Sequence, residues 1–226
     1  MRQLLALAAF ALGACSPGHT LRYRMTVEVD TPQGLKSGSS VWETTVHKGS
    51  GIPDYGMRMS ERGSAVAVDL PTGTIYARMK RQDFVEHQNG NYLSQVFGVQ
   101  FDRHGYPGFV HRMEYPDDIK QVQRLKPVFE QDPQDHPMRL RFADEKQPAT
   151  VAKVDPADLA ASFGPGVRLR RITIAYTTDR PDVHALDERL PWIPTTAALQ
   201  ISDVLPWSAR PFAAFIIGSD FARDQN

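Results

Sequence analysis

The chain has 226 residues, with 26 Lys and Arg against 26 Asp and Glu, 41% hydrophobic residues and one cysteine. A formally neutral balance gives no electrostatic footprint for nucleic acid, so no nucleic-acid partner is expected. A single cysteine excludes an internal disulfide, and the length suits one sizeable core or at most two small ones.

Met1-Arg2 gives a positive start and residues 4–12 are almost wholly Leu, Ala and Phe. A charged start, a short apolar run and small residues before a cut form a secretory signal. The run of about a dozen residues falls short of the roughly 20 that span a bilayer as a helix, which argues against a permanent transmembrane anchor. Its last four residues, Leu12-Gly13-Ala14-Cys15, resemble the lipobox of bacterial lipoproteins: a branched aliphatic, two small residues, then the cysteine. The small side chains let the backbone reach the peptidase, and the thiol is the nucleophile that accepts the diacylglyceryl group. Acylation of the freed amine adds a third chain, more than stable anchoring requires. An ordinary secretory signal cut nearby, with Cys15 incidental, is the plainer alternative. Ser16, which is not acidic, resembles the residue that sends enterobacterial lipoproteins to the outer membrane. The expected organisation is a signal peptide at 1–14, a tether at 15–20 carrying lipidated Cys15, and a single domain at 21–226.

The domain opens with "LRYRMTVEVD", which alternates without error: Leu21, Tyr23, Met25, Val27 and Val29 on one face, Arg22, Arg24, Thr26, Glu28 and Asp30 on the other. Period-two alternation over ten residues is a half-buried strand with a solvated side. "TPQG" supplies a turn, and "LKSGSSVWETTVHKG" is the returning strand. "GSAVAVDL" and "GTIYARMK", joined by "PTG", add two more, and the four strands are expected to form an antiparallel meander.

Residues 81–146 carry shorter periodicities. "YPDDIKQVQRLKP" places Ile119, Val122 and Leu125 at intervals of three, with acidic residues in the first turn and Pro127 as a stop, which predicts a modest amphipathic helix. "NYLSQVFG" suggests a turn or two of helix, and "HPMRLRFAD" alternates Met138, Leu140 and Phe142 as a strand. In "VAKVDPADLAASFGPGVRLRRITIAYTTD", Asp155 is the expected N-cap with Pro156 at the first helical position. Leu159 and Phe163 form the buried stripe, and Gly164 closes the helix. A strand follows whose apolar frame slips between Leu169 and Ile172, predicting a β-bulge near Arg170-Arg171. Beyond Asp179, "DVHALDERL" reads as a short helix. The tail's "PFAAFIIG" reads as a docked strand or helix rather than a membrane element.

"VDPADLAASFGPGVRLRRITI" with "TTDRPDVHALDERLPWI" resembles the C-terminal half of a family of small exported proteins and lipoproteins from alphaproteobacteria, and "YRMTVEVDTPQGLKSGSSVWE" resembles its N-terminal half. The resemblance covers most of the mature chain but is specific only in these blocks. It implies an envelope protein without an established biochemical activity, and it transfers no catalytic residue.

His104 and His111 with Asp102, and His87 upstream, are a weak zinc constellation, since a gap of seven between histidines fits no familiar ligand spacing. Surface-loop histidines explain them as well. No G-x-S-x-G, H-E-x-x-H, G-x-G-x-x-G or P-loop pattern occurs. Lipidation removes Cys15 from the list of thiol nucleophiles, and no cofactor is implied. Arg168 and Arg170 share a strand face and are weak candidates for an anionic ligand or partner, although a solvated face is the commoner use of such residues.

The expected fold is α+β: a mostly antiparallel twisted sheet with a few short helices packed on one face. The expected function is a non-enzymatic lipoprotein on the periplasmic face of the envelope, held in the membrane by its N-terminal lipid, that binds an envelope partner or takes part in envelope maintenance. The alternative is a carrier of a small apolar ligand in a cavity lined by Leu21, Tyr23, Met25, Val27 and Ile174; a hydrolase is third.

Overall fold

The computed structural model describes residues 19–47, 58–81, 116–193 and 222–224. They form two antiparallel sheets with a few short helices. The first sheet contains β1 (His19–Thr31), β2 (Gly34–His47), β3 (Arg58–Ser64), β6 (Val128–Glu130), β9 (Arg168–Tyr176) and β10 (Ala222–Asp224), in the order β10-β3-β2-β1-β9-β6. The second contains β4 (Val66–Leu70), β5 (Gly73–Arg81), β7 (Pro137–Phe142) and β8 (Val151–Lys153), in the order β4-β5-β7-β8. The helices are α1 (Pro116–Leu125) and α2 (Leu159–Phe163).

β1 is the strand its alternation predicts. Leu21, Tyr23, Met25, Val27 and Val29 are fully buried, and each intervening residue is half-buried. His19 and Thr20, assigned to the tether on sequence, are already paired with Val46 and Thr45. β2 returns through a turn in which Thr31 Oγ1 donates to the Gly34 carbonyl at 2.7 Å.

The expected meander does not stay in one sheet. β3, unread in the sequence, continues the first sheet as far as Ser64, and the chain then turns a corner at Ala65 so that β4 starts the second. β4 packs across β2 and β1, and Ser40 Oγ donates to the Ser64 carbonyl at 2.7 Å beside the corner. Gly38 makes the crossing possible: a Cβ there would lie 2.0 Å from the carbonyl oxygen of Ala67. Gly63 gives the same kind of room to the indole of Trp42, which a Cβ would approach to 2.6 Å.

Between the sheets lies the main core. Leu21, Tyr23, Met25, Val27, Val29 and Trp42 meet Val66, Val68, Leu70, Ile75 and Ala77 of the second sheet. α1 adds Ile119 and Val122, and α2 adds Leu159 and Phe163. A second cluster covers the far face of the second sheet, where Tyr76, Met138 and Leu140 pack under Leu186, Leu190 and Trp192. Residues 182–193 therefore act as a third layer. The fold is more β-rich than a balanced α+β domain, and its helices share the inner side of the first sheet with a second sheet.

Local readings divide in an informative way. α1 and β7 lie where periodicity places them, and the bulge is at Arg170: Glu28 pairs with Arg171 and Val29 with Leu169, so Arg170 has no opposite residue. The N-cap of α2 is Asp158, whose Oδ1 accepts from Ala161 N at 3.0 Å, and not Asp155. Asp155 instead accepts from Ala157 N at 2.8 Å, a tight local turn that precedes the helix. Gly164, at φ 98°, ends α2 as expected. "DVHALDERL" folds as a succession of turns rather than a helix, with Leu190 N donating to Leu186 O at 2.7 Å and Asp187 N to His184 O at 3.0 Å. "NYLSQVFG" and "PFAAFIIG" lie outside the described residues.

Candidate functional site

The outward face of the first sheet follows from the polar half of the β1 alternation. Arg22, Arg24, Thr26, Glu28 and Asp30 point away from the core, and register places β2 and β9 residues beside them. The result is a ladder of ion pairs. Arg22 Nε meets Glu43 Oε2 at 2.6 Å, and Arg24 Nη2 meets Asp179 Oδ2 at 2.6 Å while Nη1 donates to Ser39 Oγ at 3.2 Å. Arg171 pairs with Glu28. At the far end of the ladder two guanidiniums share one carboxylate: Arg168 Nε lies 3.0 Å from Asp30 Oδ2 and Arg170 Nη1 lies 3.3 Å from Asp30 Oδ1.

The bulge creates that convergence. An uninterrupted strand would put residues 170 and 171 on opposite faces, whereas the unopposed Arg170 lets Arg168, Arg170 and Arg171 all reach the outer side. The Arg168 hydrogen bond, reinforced by Arg170, holds the Asp30 carboxyl below its ordinary range against the opposing effect of desolvation. Glu28 raises the Arg171 guanidinium above its usual value in the same way. At the Asp30 end, two guanidiniums share a single carboxylate. The Arg168 and Arg170 side chains are 80% and 53% exposed. Such a pair can accept an incoming carboxylate or phosphate by exchanging one guanidinium away from Asp30.

Two further polar groups lie elsewhere. On the second sheet, Arg189 grips Asp69 with Nη1–Oδ1 at 2.7 Å and Nη2–Oδ2 at 2.9 Å, and Thr74 Oγ1 also donates to Asp69. Nearby, Tyr76 Oη donates to Glu145 Oε1 at 2.6 Å while the indole N–H of Trp192 donates to the Glu145 carbonyl. These bonds fasten residues 182–193 over the second core. The other group is His136 and Arg139, both buried, with Arg139 Nη1 at 3.4 Å from His136 Nδ1 and His136 Nε2 at 3.2 Å from the Gln131 carbonyl. Desolvation, helped by the Arg139 charge, lowers the His136 imidazole to about 4.

Of the residues singled out on sequence, Arg168 and Arg170 are brought together at Asp30. Cys15, His87, Asp102, His104 and His111 lie outside the described residues. Among the described residues no cluster of His, Cys, Asp and Glu is built to hold a metal ion, and no helix is long and apolar enough to cross a membrane. Leu21, Tyr23, Met25, Val27 and Ile174, the residues a carrier would use to line a cavity, belong to the core packed between the sheets. Sequence reading missed the carboxylate partners Glu43 and Asp179, because partners 21 and 155 residues away leave no local signal. It also missed buried Arg139, which sits among alternating apolar residues where an outward-facing charge is the ordinary reading.

No protein-family model, curated protein or solved structure matches the chain.

Proposed function

We propose that the chain is a non-enzymatic, lipid-anchored protein on the periplasmic face of a bacterial envelope, in the outer membrane, whose folded domain binds an envelope partner. The observation that carries this reading is the lipobox Leu12-Gly13-Ala14-Cys15 standing only three residues before β1 begins at His19. A signal that ends in a lipidated cysteine, followed almost at once by a folded strand, is the layout of a domain held at a membrane surface. The arginine pair at Asp30 is the partner-binding candidate, and it suits an acidic group on a neighbouring envelope protein.

The anchor is tested by growing cells with radioactive palmitate. The parent chain takes up label and sediments with membranes, whereas Cys15→Ala takes up none and is released. Labelling of Cys15→Ala would end the reading. Partner binding is tested by cross-linking in the intact envelope through photoreactive groups flanking Arg168, where a discrete adduct is expected.

A further inference from the structure

The lipid anchor and the fold together fix which part of the domain faces the bilayer. Four Cα-to-Cα steps separate Cys15 from His19, so the start of β1 stays within about 14 Å of the acylated cysteine. Antiparallel pairing gathers particular segments at that end of the first sheet: the start of β1, the end of β2, the end of β9 and the start of β6. α1 is fastened there as well, through Gln123 Nε2 to the Thr20 carbonyl at 2.8 Å. Its last turn runs directly into β6, with Tyr176 N donating to the Pro127 carbonyl at 2.9 Å.

This end carries an unusual surface. Leu125 and Val128 are two of the three large apolar residues exposed among the described residues, at 39% and 61%. They flank Lys126 and adjoin Arg124; both cations are exposed, and neither makes an ion pair among the described residues. The contrast with the opposite end is sharp, because there Arg168 and Arg170 are committed to Asp30. Exposed aliphatics beside long exposed cations suit an interface where apolar groups meet acyl chains and charges meet phosphates.

We propose that the segment Gln123–Val128 rests on the phospholipid surface in which the Cys15 lipid is inserted, with Leu125 and Val128 at the headgroup boundary and Arg124 and Lys126 on anionic headgroups. The inference rests on the lipoprotein reading above. It assigns the domain an orientation: the α1–β6 end faces the bilayer, and the Asp30 end of the ladder, ten strand residues from Thr20 and so roughly 33 Å away, is presented to the periplasm.

The test uses the lipidated mature chain in vesicles of phosphatidylethanolamine and phosphatidylglycerol. Acylation blocks the Cys15 sulfur, so Val128→Cys or Ser37→Cys supplies the one free thiol for a nitroxide. Both positions are exposed. Collision with a water-soluble nickel chelate is expected to be about three-fold or more slower at position 128 than at position 37. Adding Arg124→Glu and Lys126→Glu to the Val128→Cys chain is expected to abolish most of that difference, bringing collision at position 128 close to the rate at position 37. Equal, fast collision at both positions in protein whose mass shows the lipid overturns this orientation and leaves the lipoprotein reading standing. A mature chain whose mass lacks the lipid overturns both. Pure lipid vesicles contain no protein partner, so shielding at position 128 reports the bilayer alone.

Discussion

Along β1 the odd residues from Leu21 to Val29 are fully buried against a second sheet, while Arg22, Arg24, Glu28 and Asp30 on the alternate positions form ion pairs on the outer face. One strand thus offers two environments at a spacing of one residue. The inner face gains from apolar area removed from water, which is large and is not weakened by charge screening. The outer face gains from charge pairs in high dielectric, which are individually small and screened. The inner face therefore holds the fold together, and the outer face can be rearranged by a ligand at little cost to it.

The largest expected effect comes from Gly38, where β4 crosses close over β2. Gly38→Ala places a methyl 2.0 Å from the Ala67 carbonyl oxygen, which backbone on both strands must move to relieve. A loss of about 4 kcal/mol or more, or no folded protein, is expected in urea denaturation. A variant within about 1 kcal/mol of the parent would show that β4 does not cross β2 there.

Next come neighbours on opposite faces. Met25→Ala empties a fully buried site and should cost about 2–5 kcal/mol. Thr26→Ala, one residue on and outward, should cost no more than about 0.5 kcal/mol. Equal costs would erase the distinction between the faces.

Acid separates buried from surface groups by window. The His136 imidazole, ordinarily near 6.5, lies at about 4 in the folded state, so between these values the unfolded chain binds the proton and the folded chain does not. The His136 contribution must then be lost as pH drops from 6.5 to 4 and change no further below, by roughly 1–3 kcal/mol in all. Asp30 has the sign of a depressed carboxylate: its contribution is present above 3.8 and is lost only as pH falls further. His136→Gln should flatten the upper window and leave the lower one in place. An unchanged slope between pH 6.5 and 4 would remove His136 as its source.

Legibility in the sequence followed the same division. β1 was readable because one face meets core and the other meets water, and period-two alternation records that difference. β3 was not: its inward positions hold Glu61 and Gly63, the second kept small by Trp42, so no apolar stripe marks it. The second sheet is covered on both sides, by the first sheet and by residues 182–193, and alternation there cannot say which face is inner. That is how Met138, Leu140 and Phe142 predicted β7 correctly while Arg139, wholly buried on the other face, went unread. Leu186 and Leu190 are four apart, as in a helix, but their spacing serves packing on Tyr76, Met138 and Leu140, and turns satisfy it. The misplaced cap has a similar cause: Asp155 and Asp158 both suit an N-cap, and only the distance to Ala161 N decides between them. Arg168 and Arg170 were legible as residues, and the bulge as a frame slip; Asp30, 138 residues upstream of Arg168, was visible only in the fold.

The smallest effect on stability is the most telling for function. Replacing both Arg168 and Arg170 by alanine removes two exposed side chains and frees Asp30, itself at the surface and close to other polar groups. No core contact is lost, so Tm and the urea midpoint should stay at the parent's values within error at moderate salt. A pair placed there only to steady the sheet would show its loss as a lower Tm at low salt, recovered as salt is added. A pair placed there to meet an acidic partner would leave Tm alone and abolish the cross-linked adduct near residue 168. Arg168→Lys with Arg170→Lys divides the matter further. Lysine keeps the charge but not the forked donor geometry, so Tm should again stay at the parent's value while the adduct returns only in part. Loss of Tm with the adduct intact would return Arg168 and Arg170 to the ordinary role of a solvated strand face.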